Sequence, residues 1–144
     1  MILGFILPCI AGIWIFKREP KIILLIAPIG STTAFAINQW GFQYFWSVKP
    51  IYKNISLSAF PMDIGLYPVF ACLYIYLILK TSISPLILAI LLSLGLTFLE
   101  WTMVVTDRVL YFNNWNILAT FFSYAFWYVI IYSYFRILKT HKII

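Results

Sequence analysis

EWTMVVTDRVLYFNNWN, residues Glu100 to Asn116, is the stretch on which the reading of this chain turns. It holds two of the four acids, one of the ten basic residues and three asparagines around Trp115, with long apolar segments on both sides. A polar knot between apolar runs marks a connection between membrane spans. Working outward from it, a second polar segment, Asn38 to Pro68, is expected to meet it on one face of a bundle.

Composition supports that frame. With 144 residues the chain allows one domain, residues 1–144. It is 64% hydrophobic and 10% charged, with mean hydropathy +0.98, whereas soluble chains carry roughly 25% charged residues. A soluble fold of this size cannot be covered by so few charges, so the bilayer is the expected solvent. Aromatics reach 20%, including the Trp and Tyr that favour the headgroup level. Net charge is +6, but the cations fall in short loops between apolar runs, which argues for topology rather than nucleic-acid binding. Cys9 and Cys72 lie far apart inside apolar runs and read as buried small hydrophobes. The N-terminus lacks a basic region and a small-residue cleavage site, so no cleaved signal peptide is expected.

Five apolar segments emerge, at about 2–16, 22–37, 61–79, 84–105 and 115–135. The first has fifteen residues before the Lys17-Arg18 cluster, short against the ~20 that a spanning helix usually needs. In the second, Pro28 should bend the helix. Ala27, Gly30, Ala34 and Asn38 share one face there, where small residues admit a neighbouring backbone. Gly41 to Phe60 is aromatic and irregular, and is expected to form a loop or an interfacial helix between helices 2 and 3. Pro61 and Asp63 should lie in the first turn of the third span, and Ser84-Pro85 should start the fourth. The fold class is therefore an all-α integral membrane protein, a five-transmembrane-helix bundle.

Orientation follows from the positive-inside rule. Lys17, Arg18, Lys21, Lys80, Arg136, Lys139 and Lys142 would be inside, with Lys49, Lys53 and Arg108 outside. Seven cations against three give N-out, C-in. Asp63, Glu100 and Asp107 then share the outer face with an equal number of cations, so ion pairing is expected there.

Glu100 is the residue that needs explaining. Counted from Pro85 at ~1.5 Å per residue, it lies ~22 Å along a span crossing ~30 Å of hydrocarbon. Ala89, Ser93 and Thr97 lead up to it on one face. An acid at this depth is a candidate site; the alternative is a structural carboxylate paired with Arg108 or bonded to an Asn or Trp. Asp63 has its own alternative, helix-dipole stabilisation, and one of Asn113, Asn114 and Asn116 is expected to cap the last span. Trp40, Trp46, Trp101 and Trp115 read either as an interfacial belt or as pocket walls.

The candidate ligand-binding set is Glu100, Asp63, Asn38, Trp40, Tyr67, Arg108, Asn113, Trp115 and Asn116. No catalytic residue and no metal site is assigned, and the cofactor is unknown. His141, the one histidine, lies in the basic tail, against a His-based metal site or triad. The glycines form no phosphate-cradling loop.

Three motifs carry a resemblance: Pro61-x-Asp63-x-Gly65-Leu66-Tyr67-Pro68, Leu96-Thr97-x-Leu99-Glu100 and Tyr111-x-Asn113-x-Trp115-Asn116. With them the chain resembles a family of small, uncharacterised multi-pass membrane proteins of spore-forming Gram-positive bacteria. The resemblance implies a bacterial cell-membrane location and no particular substrate. Phe112 stands where that family often carries His, which speaks against a His-dependent role. Trp46-Ser47-Val48-Lys49-Pro50 and Asn114-Trp115-Asn116 are also similar to motifs of the tryptophan-rich sensory proteins, which have five spans.

The expected function is a non-enzymatic, polytopic membrane protein whose outward polar and carboxylate cluster binds a small ligand, ion or lipid headgroup, or senses the envelope. The alternatives are a small transporter or proton-coupled carrier, an intramembrane enzyme with the acids as general acid and base, and a structural subunit of a membrane complex. Expected partners are the bilayer, a small ligand or lipid, and a second copy or another membrane protein, with no nucleic acid.

Overall fold

The structure is a computed structural model that describes residues 2–144. The described chain is helical, with five long helices: α1 (Ile2–Arg18), α2 (Pro20–Tyr44), α3 (Ser56–Lys80), α4 (Pro85–Val105) and α5 (Ile117–Thr140). Two short strands, β1 (Trp46–Val48) and β2 (Val109–Tyr111), complete it. Helices α2 to α5 are each long and apolar enough to cross a membrane. The seventeen residues of α1 extend only ~25 Å.

The expected meeting of the two polar segments is found. β1 and β2 pair antiparallel, Trp46 opposite Tyr111 and Val48 opposite Val109. The ladder is prolonged by Phe112 N–H to the Phe45 carbonyl and Lys49 N–H to the Arg108 carbonyl, each 2.7 Å. This ribbon sits at the end of the bundle where α2 and α4 finish and α3 and α5 begin.

Two expected boundaries shift. α2 does not stop near Ile37 but runs on to Tyr44. Hydropathy falls at Asn38-Gln39, yet the buried face continues at helical spacing through Ile22, Ile26, Gly30, Ala34, Asn38 and Phe42. The helix therefore persists, with Asn38 on its core-facing side, bonded to Asp63. Gly41 is required at its end, because a Cβ there would lie 1.9 Å from the Trp46 indole. The expected aromatic loop thus shrinks to the stretch around β1.

α3 starts five residues earlier than expected. The Asn54 side-chain oxygen accepts from Ser56 N–H at 3.2 Å, a local turn that opens the helix. Asp63 is therefore not in the first turn but two turns in, and 1% exposed. At Met62–Leu66 the helix widens into a π turn, with Tyr67 N–H bonded to the Met62 carbonyl. The π register aims the Asp63 carbonyl at residue 68, and Pro68 has no N–H. Ser31 of α2 fills that vacancy, its hydroxyl donating to the Asp63 carbonyl at 2.7 Å.

Small residues set the packing. Gly30 lies against Ala71 and Pro68, where an added Cβ would come within 2.9 and 3.2 Å, so α2 and α3 approach closely. α4 packs chiefly on α5. α1 runs alongside α3 in the same direction: Phe5 meets Gly65, Gly12 meets Val69, and Trp14 meets Tyr76 at 5.3 Å between rings. The core is a column of Ile26, Ala71, Ile75, Leu96, Tyr128 and Ile131.

Candidate functional site

Beneath the ribbon, α2, α3, α4 and α5 enclose a cavity of about 60 Å³. That is several times the ~10–15 Å³ needed by one water. Its polar lining includes Asn38, Tyr67, Glu100, Thr120, Ser123 and Tyr124, and its aromatic walls include Trp46, Trp115 and Trp127.

Glu100 is held by hydroxyls. Its Oε1 accepts from Tyr111 at 2.6 Å and from Thr120 at 3.1 Å, and its Oε2 from Tyr124 at 2.5 Å. The hydrogens can be followed outward. Tyr124 gives its one hydrogen to Glu100, so Tyr67, 3.3 Å away, donates to Tyr124. The Trp115 indole N–H donates to Thr120 at 2.9 Å. Thr120 also lies 2.9 Å from the Tyr111 hydroxyl and divides its hydrogen between Tyr111 and Glu100. Every polar neighbour is a donor or is free to be one, so the array can hold Glu100 as an acceptor. Tyr111, in the ribbon, stays a phenol: burial, and next the Glu100 charge, push its ionisation above the usual range.

The expected ion pairing is not found at this end. Among the described residues the one salt bridge, Lys80 to Glu19, lies at the opposite end at 2.5 Å. Glu100 is paired neither with Arg108 nor with an Asn or Trp. Arg108 is exposed, and its carbonyl serves the ladder. The physical reason is that β2 carries residue 108 outward while turning Tyr111 inward.

A second polar pair adjoins the cavity. Asn38 Nδ2 donates to Asp63 Oδ1 at 2.7 Å, while Asp63 Oδ2 is buried without a protein partner. On the far wall the Trp127 indole N–H donates to Thr33 at 2.8 Å and joins α5 to α2. Below Glu100 on the same helix face, the Thr97 and Ser93 hydroxyls are buried with no hydrogen-bond partner.

Of the nine expected residues, Asn38, Tyr67, Glu100 and Trp115 line the cavity. Asp63 stands behind Asn38. Trp40, Arg108, Asn113 and Asn116 lie elsewhere. Trp40 is 54% exposed and packs on Tyr44 and Phe45. Asn113 and Asn114 occupy the left-handed region at φ 49° and 61°, which Asn tolerates better than most residues. Asn113 also donates to the Tyr44 carbonyl at 2.7 Å. Asn116 caps α5, accepting from Leu118 and Ala119 N–H at 3.0 Å. The asparagines thus shape the chain beside the cavity.

Sequence reasoning missed Tyr111, Thr120 and Tyr124. Thr120 and Tyr124 are four apart on α5, and a polar i, i+4 pair in an apolar run was the signal available. Tyr111 carried none, since its approach to Glu100 depends on the ribbon register. Trp46 and Trp115, 5.0 Å apart, act as walls, while Trp40 and Trp101 stay on the outside. Among the described residues no group of three His, Cys, Asp or Glu side chains comes together for a metal. No family model, no curated protein and no solved structure matches the chain.

Proposed function

We propose that the protein is a five-span membrane protein, N-terminus outside and C-terminus inside, that binds a small ligand or lipid headgroup in the Glu100 cavity near the outer face. Placing the ribbon end outside puts three cations there and seven at the other end, as the positive-inside rule favours. α1 is read as the fifth span because it follows α3 from Gly65 to Tyr76. The motif resemblance supports a bacterial cell membrane.

One observation carries the binding reading. Glu100 is a carboxylate within hydrogen-bond reach of three hydroxyls, it faces a cavity, and no Lys, Arg or His lines that cavity. A carboxylate used only to hold helices together would be expected to sit in a filled space with its charge compensated. The test is thermal melting of the purified protein in detergent, wild type beside Glu100→Gln, across lipids, divalent ions and pH. A ligand that raises the wild-type midpoint but not that of Glu100→Gln supports binding at Glu100. If nothing shifts the wild type and Glu100→Gln melts much lower, the carboxylate is structural and the proposal fails.

A second reading, a proton-coupled carrier, rests on the unpartnered hydroxyls of Thr97 and Ser93 leading away from Glu100. It requires water to reach them. Cysteine substituted for Ser93 would then react with a membrane-impermeant thiol reagent, and an unreactive cysteine would count against the carrier.

A further inference from the structure

The geometry points to an alkylated ammonium group as the occupant of the Glu100 cavity, a class that neither the composition nor the motifs specify. This inference rests on the binding reading above and narrows it. Three features of the cavity select the class. The first is charge: the carboxylate faces a space lined by no basic side chain, so a cationic guest would supply the missing compensation.

The second is the walls. Trp46, Trp115 and Trp127 face the space with Tyr67 and Tyr124. The indole N–H groups of Trp115 and Trp127 are already bonded, to Thr120 and Thr33. These rings therefore offer π surface rather than hydrogen-bond donors, and aromatic surface around a carboxylate suits an organic cation. A hard metal ion favours several carboxylate or carbonyl ligands, and among the described residues no three His, Cys, Asp or Glu side chains come together for one.

The third is the acceptor count. Two of Glu100's hydrogen bonds fall on Oε1 and one on Oε2, which takes about three of its roughly four lone-pair sites. A primary ammonium brings three donors, and Glu100 has room for about one of them, leaving the others to the Asn38, Tyr67 and Ser123 oxygens. A quaternary ammonium brings none and needs only charge and apolar contact. The cavity of about 60 Å³ has room for more than a single water, as a small alkylated ammonium group requires. Such a group reaches a membrane protein either on a choline-type lipid headgroup or as a free small cation.

The test uses tryptophan fluorescence of the whole protein, titrated with choline, tetramethylammonium, methylammonium and 3,3-dimethylbutan-1-ol, the neutral carbon analogue of choline. Choline and tetramethylammonium are expected to give saturable changes at concentrations at least tenfold below those needed for the neutral alcohol and for methylammonium. Trp115→Leu should weaken choline severalfold, and Glu100→Gln should abolish the preference over the alcohol. Where Glu100→Gln does not fold, Tyr124→Phe with Trp115→Leu carries the comparison. Equal binding of choline and the alcohol would overturn the cation class while leaving a binding site, and tighter methylammonium would overturn the alkylated class. Failure of every probe, with no shift in the melting screen, would remove the binding reading as well. Repeating the choline titration in phosphatidylcholine and phosphatidylglycerol nanodiscs separates the sources. Weaker apparent choline binding only in phosphatidylcholine identifies the lipid headgroup, and equal binding in both identifies a free cation.

Discussion

The Ser31 hydroxyl donates to the backbone carbonyl of Asp63 at 2.7 Å, across the α2–α3 pair, where Gly30 packs against Pro68 and Ala71. The bond exists because the π turn and Pro68 together leave that carbonyl without an intrahelical donor. π turns recur at functional sites in helices, and this one sets the register of Asp63 and Tyr67 beside the cavity.

Ser31→Ala should lower stability by about 1–3 kcal/mol, the cost of an unsatisfied buried carbonyl. Pro68→Ala supplies an N–H at the position the carbonyl faces. The double variant should therefore lose less than the sum of the single losses, measured by thermal melting in detergent. Additive losses would show that the Ser31 bond is unrelated to Pro68.

Gly41 and Gly95 form a matched comparison. An alanine Cβ at Gly41 would strike the Trp46 indole, whereas at Gly95 it meets nothing within 4 Å. Gly41→Ala should destabilise by about 1–3 kcal/mol through overpacking. Gly95→Ala should be neutral or stabilising by up to ~1 kcal/mol, through helix propensity. Equal melting of the two variants would mean that Trp46 does not rest on the end of α2.

The three hydroxyls on Glu100 should be energetically coupled to it. Tyr124→Phe is expected to cost about 1.5–3 kcal/mol in the wild-type background, as hydrogen bonds to charged groups do, and clearly less in Glu100→Gln. Thr120→Val should behave in the same way, with the added loss of the Trp115 bond. A double-variant cycle showing no coupling would contradict the donor array around Glu100.

Asn116 separates capping from binding. Asn116→Ala should cost about 1 kcal/mol, as loss of an N-cap does, while leaving ligand-induced melting shifts unchanged. An altered ligand response with unchanged stability would return Asn116 to the site.

What the sequence disclosed and what it withheld divide along physical lines. The apolar runs, the Ser84-Pro85 helix start, the small face at Gly30 and the importance of Glu100 are local properties of composition and spacing. The ends of α2 and α3 were misplaced because hydropathy falls at Asn38 and Pro61, while the buried period of α2 and the turn at Asn54 keep the helices going. The partners of Glu100 were out of reach for a different reason. Tyr111 comes inward only because Trp46 pairs with it across the ribbon, a tertiary register that one sequence does not reveal. Arg108, the nearer charge in sequence, is directed outward by the same register.

The central claim is that Glu100 presents a negative charge to the cavity, uncompensated by any protein cation. Infrared difference spectroscopy of wild type minus Glu100→Gln at neutral pH tests it directly. The account predicts the loss of an ionised-carboxylate stretching band, sharpened or shifted when tetramethylammonium is added. A lost band in the protonated-acid carbonyl region instead, unaffected by tetramethylammonium, would contradict it.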